Sequence, residues 1–170
     1  TDSEIPWERV NAFHMDEYIG LSKDAPQGFG NFLREHLFGL APFGSVNYIA
    51  PDAKDADEES DRYSALLKKY PTDIVVLGIG ENGHIAFNEP FTSLTSRTGV
   101  RALTSDTLIA NSRFFDNDPN KVPKTALSVG VGTVCDSRQV LLLISGHNKA
   151  RALRHCVEGG VDHAWTISAL

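Results

Sequence analysis

The chain has 170 residues, with 41% hydrophobic and 22% charged side chains and a formal charge of −6. That length fits one domain, and a domain of this size buries roughly 70% of its unfolded surface. The composition is ordinary for a globular protein, and the acidic balance argues against nucleic acid or an anionic membrane surface as a partner. No apolar run approaches the ~20 residues of a membrane span, and the first residues lack a signal-peptide pattern. Cys135 and Cys156 make no spacing motif with the histidines and read as reduced thiols, which points to the cytoplasm. The stretch Thr1 to Trp7 carries no initiator Met and the chain closes on the apolar Thr166-Ile167-Ser168-Ala169-Leu170, so both ends read as cut from something longer.

Taken in chain order, hydrophobic periodicity predicts a short strand over 10–14 and a helix over 26–38, with Pro26 tolerated in the first turn. A second short strand follows over 46–49. Residues 55–70 read as an amphipathic helix, with acids in its first turns, Lys68-Lys69 in its last and a buried stripe of Tyr63, Leu66, Leu67 and Tyr70. A buried strand over 73–77 comes next, then a strand over 100–103, a helix over 105–115, a loop able to move over 116–124 and a strand over 126–129. Val140-Leu141-Leu142-Leu143-Ile144 reads as a buried strand and 148–157 as a helix. Strands interleaved with helices predict a Rossmann-like, doubly wound, mostly parallel sheet flanked by helices.

The richest stretch runs from Thr72 to Pro90. A Val-rich strand breaks into Gly78, Gly80 and Gly83, and the carboxyl end of a strand in an α/β sheet is where ligands bind. Glycine there lets backbone approach a ligand closely. One imidazole, His84, and one carboxylate, Glu89, follow at once, with Asn82 two residues before the histidine. A histidine near a helix start often only caps or packs. Oriented by a carboxylate at a strand's end, it reads instead as a proton shuttle near neutral pH. Gly78-Ile79-Gly80-Glu81-Asn82-Gly83 also fits G-x-G-x-x-G. Pro90 closes any following helix within two turns, and Asp106 lies beyond a second predicted strand. The turn therefore reads as binding sugar or phosphate, not a nicotinamide or flavin.

Phe13-His14-Met15-Asp16-Glu17-Tyr18 is the second candidate, since an acid directly after an apolar strand is where a parallel sheet places a general base. His14, Asp16 and Glu17 crowd together without a second cluster, so no metal is expected. Arg113 and Lys149 are isolated cations; Lys149 opens a helix where backbone N–H groups favour an anion.

Together, Gly78 to Pro90, Phe13 to Tyr18, Asn111 to Asp118, Val122-Pro123-Lys124 and Trp165 to Ser168 resemble glucosamine-6-phosphate deaminase, of the glucosamine/galactosamine-6-phosphate isomerase family. The resemblance implies a Rossmann-like fold and conversion of an amino-sugar phosphate, glucosamine 6-phosphate, to fructose 6-phosphate and ammonia without metal or organic cofactor. It implies that Asp16 takes the C2 proton and returns it at C1, and that His84, supported by Glu89 and Asn82, opens the ring. It further implies that Arg113 and Lys149 hold the phosphate and that residues 104–125 form a mobile lid. The family includes monomers and hexamers, so a homo-oligomer stays open.

Three departures accompany the resemblance. Asn82 stands where many members carry Asp, Gly99 where regulated members carry a base for an activator phosphate, and the family's first strand and phosphate-binding turn are expected upstream of Thr1. The rival readings are a galactosamine-6-phosphate deaminase, a related lactonase and a catalytically silent sugar-phosphate sensor.

Overall fold

A computed structural model describes residues 4–170. Seven short strands carry the frame: β1 (Asn11–Phe13), β2 (Asp16–Tyr18), β3 (Ser45–Asn47), β4 (Ile74–Leu77), β5 (Gly99–Ala102), β6 (Thr125–Ser128) and β7 (Gln139–Leu142). The helices are α1 (Phe29–Leu33), α2 (Ala56–Lys69), α3 (Ser105–Asn111), α4 (Val131–Cys135) and α5 (Ala150–Val157). Among the described residues no helix is long and apolar enough to cross a membrane.

The mixed α/β architecture is the expected one, but the strands do not join into a single parallel sheet. β1 pairs with β3 and β4 with β7, both parallel, while β2, β6 and β5 form an antiparallel group. The residues after β1 turn away from β3 and pair with β6, so Asp16 opens an antiparallel strand instead of trailing a parallel one. Three residues, two of them acidic, carry no readable alternation, and this pairing is set by tertiary context. α4 is also invisible to propensity, because Val-Gly-Thr-Val-Cys mixes β-branched residues with glycine.

β4 and β7 differ from their sequence reading in another way. Leu77 is buried, and Val75 and Leu142 pack against the core. The opposite face leaves Ile74, Val76, Leu141 and Leu143 more than half exposed. An unbroken apolar run implies cover on both faces, whereas the described residues cover one.

α2 forms as its caps require. Asp55 accepts from the backbone N–H groups of Asp57 and Glu58, at 2.9 and 3.0 Å. Its buried Tyr63 reaches across to the ends of β1 and β3, donating to the carbonyl of His14 at 2.5 Å and approaching that of Asn47 at 3.0 Å. The other expected helices are shorter than their periodicity: residues 34–38 widen into a π turn after α1, and 112–114 and 147–149 are 3-10 turns. Phe115, just before the loop over 116–124, and Val122, within it, are buried in a cluster with Tyr18 and Phe87. Tyr63→Phe deletes the hydroxyl and leaves the His14 carbonyl short of that donor, while the Asn47 carbonyl keeps the His14 N–H; urea unfolding is expected to show a loss of about 1–3 kcal/mol.

Candidate active site

The chain leaves β4 through Gly78-Ile79-Gly80 and turns back on itself. Gly83 N–H donates to the Gly80 carbonyl (3.0 Å) and Gly80 N–H to the His84 carbonyl (2.8 Å). No helix follows. Ile85 and Asn88 form an isolated antiparallel bridge, and Ala86 between them has φ of 50°. A non-glycine residue held in that region is strained, and such strain gathers at functional sites.

The glycines serve different ends. A Cβ on Gly80 would fall 2.4 Å from His84 Cε1 and Nδ1, so the absent side chain makes the seat for the imidazole. Gly83, at φ of 82°, lies under Trp165, where a Cβ would meet Cε3 at 2.4 Å. A Cβ on Gly78 would meet only the Leu143 carbonyl oxygen, at an ordinary contact distance of 3.6 Å, and the residue lines the cavity described below. The buried hydroxyl of Thr166 closes the turn from behind, 2.8 Å from the Asn88 carbonyl and 3.3 Å from the Ile85 N–H.

His84 and Glu89 meet across this turn. Nδ1 lies 3.3 Å from Glu89 Oε2, close but poorly aligned, as catalytic hydrogen bonds often are before substrate binds. Asn82 braces both partners: its Nδ2 donates to Glu89 Oε2 at 3.0 Å, and its Oδ1 accepts from the His84 backbone at 3.2 Å. Glu89 Oε1 accepts from the hydroxyl of Thr107, from that of Thr104 (3.1 Å) and from the Thr104 N–H (3.3 Å). Burial alone would raise the Glu89 carboxyl. The adjacent His84 ring and the hydrogen bonds from Thr107 and Asn82 outweigh it and hold the group down at about 2.

Asp16 is the opposite case. Burial and the neighbouring charge of Glu17 push its carboxyl up to about 7, and among the described residues no donor binds it. Its side chain is surrounded by protein, yet part of the residue stays open to a cavity of about 350 Å³. Asp16 lines that cavity with His84, Gly78, Gly80 and Ala86. A carboxylate poised near neutrality and an imidazole facing one space can move protons on one bound molecule.

The remaining sequence-predicted residues stand apart from this cavity. Asn82 and Glu89 lie behind His84, and Gly83 is packed under Trp165. Arg113 is exposed on the 3-10 turn after α3, its guanidinium over the Phe114 ring, and Lys149 is half-buried just before α5. Neither cation lines the cavity. A second cavity of about 250 Å³, bounded by Glu17, Lys23, Arg34, Tyr48 and Asp52, includes none of the predicted residues. Thr104, Thr107 and Ser128 escape sequence reading, since a Thr-x-x-Thr before a helix looks like a cap and a serine ending a strand carries no signal.

An α/β fold that sets a carboxyl and an imidazole on one cavity has the layout of an enzyme-like class. The chain belongs to the family of glucosamine-6-phosphate isomerases/6-phosphogluconolactonase, which matches residues 1–169. It is 51% identical over 169 residues to a glucosamine-6-phosphate deaminase of Bacteroides thetaiotaomicron, covering 98% of this chain and 63% of that protein. A glucosamine-6-phosphate deaminase of Glaesserella parasuis is 51% identical over 170 residues, with 98% and 64% covered. The chain thus spans less than two thirds of the length of these curated relatives. Among solved structures, a monomeric glucosamine-6-phosphate deaminase superposes with a TM-score of 0.92 at 38% identity, covering 98% of this chain and 70% of the other. A 6-phosphogluconolactonase of Shewanella baltica superposes at 0.75 with 21% identity, over 98% and 69%, a likeness of fold.

Asp16 gives a stability test with a definite sign. A carboxyl raised from 3.8 to about 7 contributes its full stability below about pH 4 and loses it as pH rises through 7. Asp16→Asn is therefore expected to melt a few degrees above the wild type at pH 8, with the gap closing by pH 4, as read by differential scanning calorimetry. The seat of His84 gives another. Gly80→Ala is expected to displace the imidazole or lose about 1–3 kcal/mol through overpacking, measurable by chemical denaturation and His84 ring shifts.

Proposed function

We propose that this chain carries the catalytic centre of an amino-sugar phosphate deaminase-isomerase that converts glucosamine 6-phosphate and water to fructose 6-phosphate and ammonia. The observation that carries the reading is the shared cavity of Asp16 and His84. Its relatives' names and the 0.92 superposition support the same chemistry.

The steps follow from the groups present. The anomeric hydroxyl of the cyclic sugar must lose a proton while the ring oxygen gains one. His84, with Nδ1 turned to Glu89, has Nε2 free for that exchange. Ring opening yields an aldehyde, which acidifies the C2 hydrogen. Asp16 removes that proton to form an enolamine and returns it to C1, giving a ketimine. Water adds to the ketimine carbon, ammonia leaves, and the ketose remains. A single carboxylate serves both carbons because they are adjacent. Its value near 7 makes it basic enough to take the proton and ionised often enough to begin.

Asn82 can orient Glu89 through its amide but adds no charge, so the carboxylate alone balances a charged imidazole. Arg113 and Lys149 are the proposed phosphate partners. They approach the sugar from outside the cavity, and residues 104–125 form the lid that brings Arg113 inward. The two parallel strand pairs belong to a Rossmann-like doubly wound frame. The protein acts in the cytoplasm on a small sugar phosphate without a metal, an organic cofactor or a nucleic-acid partner.

An ammonia-release assay on the full-length protein tests this. Glucosamine 6-phosphate is expected to turn over faster than galactosamine 6-phosphate, and 6-phosphogluconolactone not to be hydrolysed. Ligand binding with no ammonia from either amino sugar would instead favour a sensor. Asp16→Asn is expected to lower kcat by about 10²–10⁴. Wild-type kcat/KM should climb about tenfold per pH unit below 7 and then level, as the base with a value near 7 deprotonates. His84→Gln should slow the cyclic sugar more than an open-chain analogue, and equal slowing would remove the ring-opening role.

A further inference from the structure

Glu89 touches His84 with one oxygen only, and something must hold that oxygen in place. Oε2 faces His84 Nδ1 and accepts from Asn82, while Oε1 is turned to the start of α3. There it meets Thr104, at 3.1 Å from the hydroxyl and 3.3 Å from the N–H, and the closer hydroxyl of Thr107. Thr107 is only 4% exposed, so its single hydroxyl proton has no water to compete for it.

We propose that Thr107 is a positioning residue for the His84 relay: its hydroxyl fixes the plane of the Glu89 carboxylate so that Oε2 stays on His84 Nδ1. The proposal rests on the deaminase reading of the site. Helix capping does not account for the arrangement. Thr104 is the N-cap, and its side chain accepts from the Thr107 backbone N–H at 3.3 Å. The cap itself uses the backbone of Thr107; its hydroxyl accepts from that of Thr104 at 3.3 Å and directs its own proton to Glu89. The opposite oxygen accepts from Asn82 Nδ2 at 3.0 Å and faces His84 Nδ1, so it is the pivot about which the carboxylate can rotate. The longer Thr104 contacts, at 3.1 and 3.3 Å, fall on the same oxygen as Thr107. Loss of the Thr107 hydroxyl leaves Oε1 with those two contacts alone, and the carboxylate held less firmly against rotation.

The consequence concerns the imidazole's tautomer. A fixed carboxylate oxygen at Nδ1 keeps the neutral ring's proton there and leaves Nε2 bare for the sugar. When the carboxylate turns, both tautomers become populated and fewer molecules are ready to open the ring. Outer-shell partners of this kind typically matter 10–100-fold when removed.

The test compares full-length wild type with Thr107→Val, which keeps the shape and deletes the hydroxyl, and Thr107→Ser, which keeps the hydroxyl. Thr107→Ala stands in if the valine variant does not fold. Two quantities are read: kcat and KM for ammonia release from glucosamine 6-phosphate, and the ring 15N shifts of His84 in the neutral form. The valine variant is expected to lose about tenfold in kcat with KM within about twofold, while serine restores kcat to within about twofold. The His84 15N shifts should move from an Nδ1–H pattern toward a mixture in the valine variant alone. An unaltered tautomer overturns the proposal even if kcat falls, as does failure of serine to rescue. Wild type that releases no ammonia refutes the deaminase reading alone. The tautomer comparison then decides the role of Thr107 without any need for turnover.

Discussion

The end of β6 is the point on which the site depends, because it is tied to both halves of the acid–base pair at once. On one side Ser128 is in register with Asp16, and Val129 N–H donates to the Met15 carbonyl at 3.0 Å. On the other side Ser128 Oγ accepts from the Phe87 N–H at 3.0 Å, and the Val129 carbonyl accepts from Asn88 Nδ2 at 2.8 Å. Two adjacent residues thus fix the strand that carries Asp16 and the loop that carries His84. Ser128 and Asn88 are fully buried, so these bonds face no competition from water and the spacing is stiff.

The two carboxylates beside that anchor differ in how the protein treats them. Glu89 is surrounded by donors and is held ionised far below neutrality, whereas Asp16 is buried without a donor and rises toward it. Environments that push two like groups apart assign them different work. The proposed division follows: a permanent charge that steers the imidazole, and a base able to take and return a proton. Glu17 adds to the second effect. Its carboxylate is buried beside Asp16 and held by the N–H groups of Tyr18, Phe29 and Gly30 at 2.8–3.2 Å. The same side chain therefore orders the chain after β2 and makes its neighbour harder to ionise.

Local pattern made much of this legible. The cap and charge gradient of α2, the apolar runs of β4 and β7 and the glycine turn ahead of His84 all announce themselves in sequence. Convergence of Asp16 with His84 does not, because it comes from an antiparallel pairing across more than a hundred residues that three-residue β2 cannot signal. Glycine was read as room for a ligand. At positions 80 and 83 the room is taken by His84 and Trp165, which only tertiary contacts reveal. Thr107 was hidden for a different reason: its backbone belongs to a helix cap, and its hydroxyl acts across a gap of 18 residues. The half-covered faces of β4 and β7 show the reverse error, since an apolar run reports affinity for cover and not the presence of it.

Trp165 lies on the turn that carries His84. Its indole stacks on His155 with ring centres 3.9 Å apart, sits beneath the Arg151 guanidinium and presses on Gly83, one residue before the imidazole. The other indole, Trp7, rests against Phe43 in a different part of the fold. Any movement of the glycine turn must slide the ring against its stacked neighbours and change its emission. The chain therefore contains a native fluorophore beside the His84 loop, through which displacement of that loop can be followed in real time without an added label.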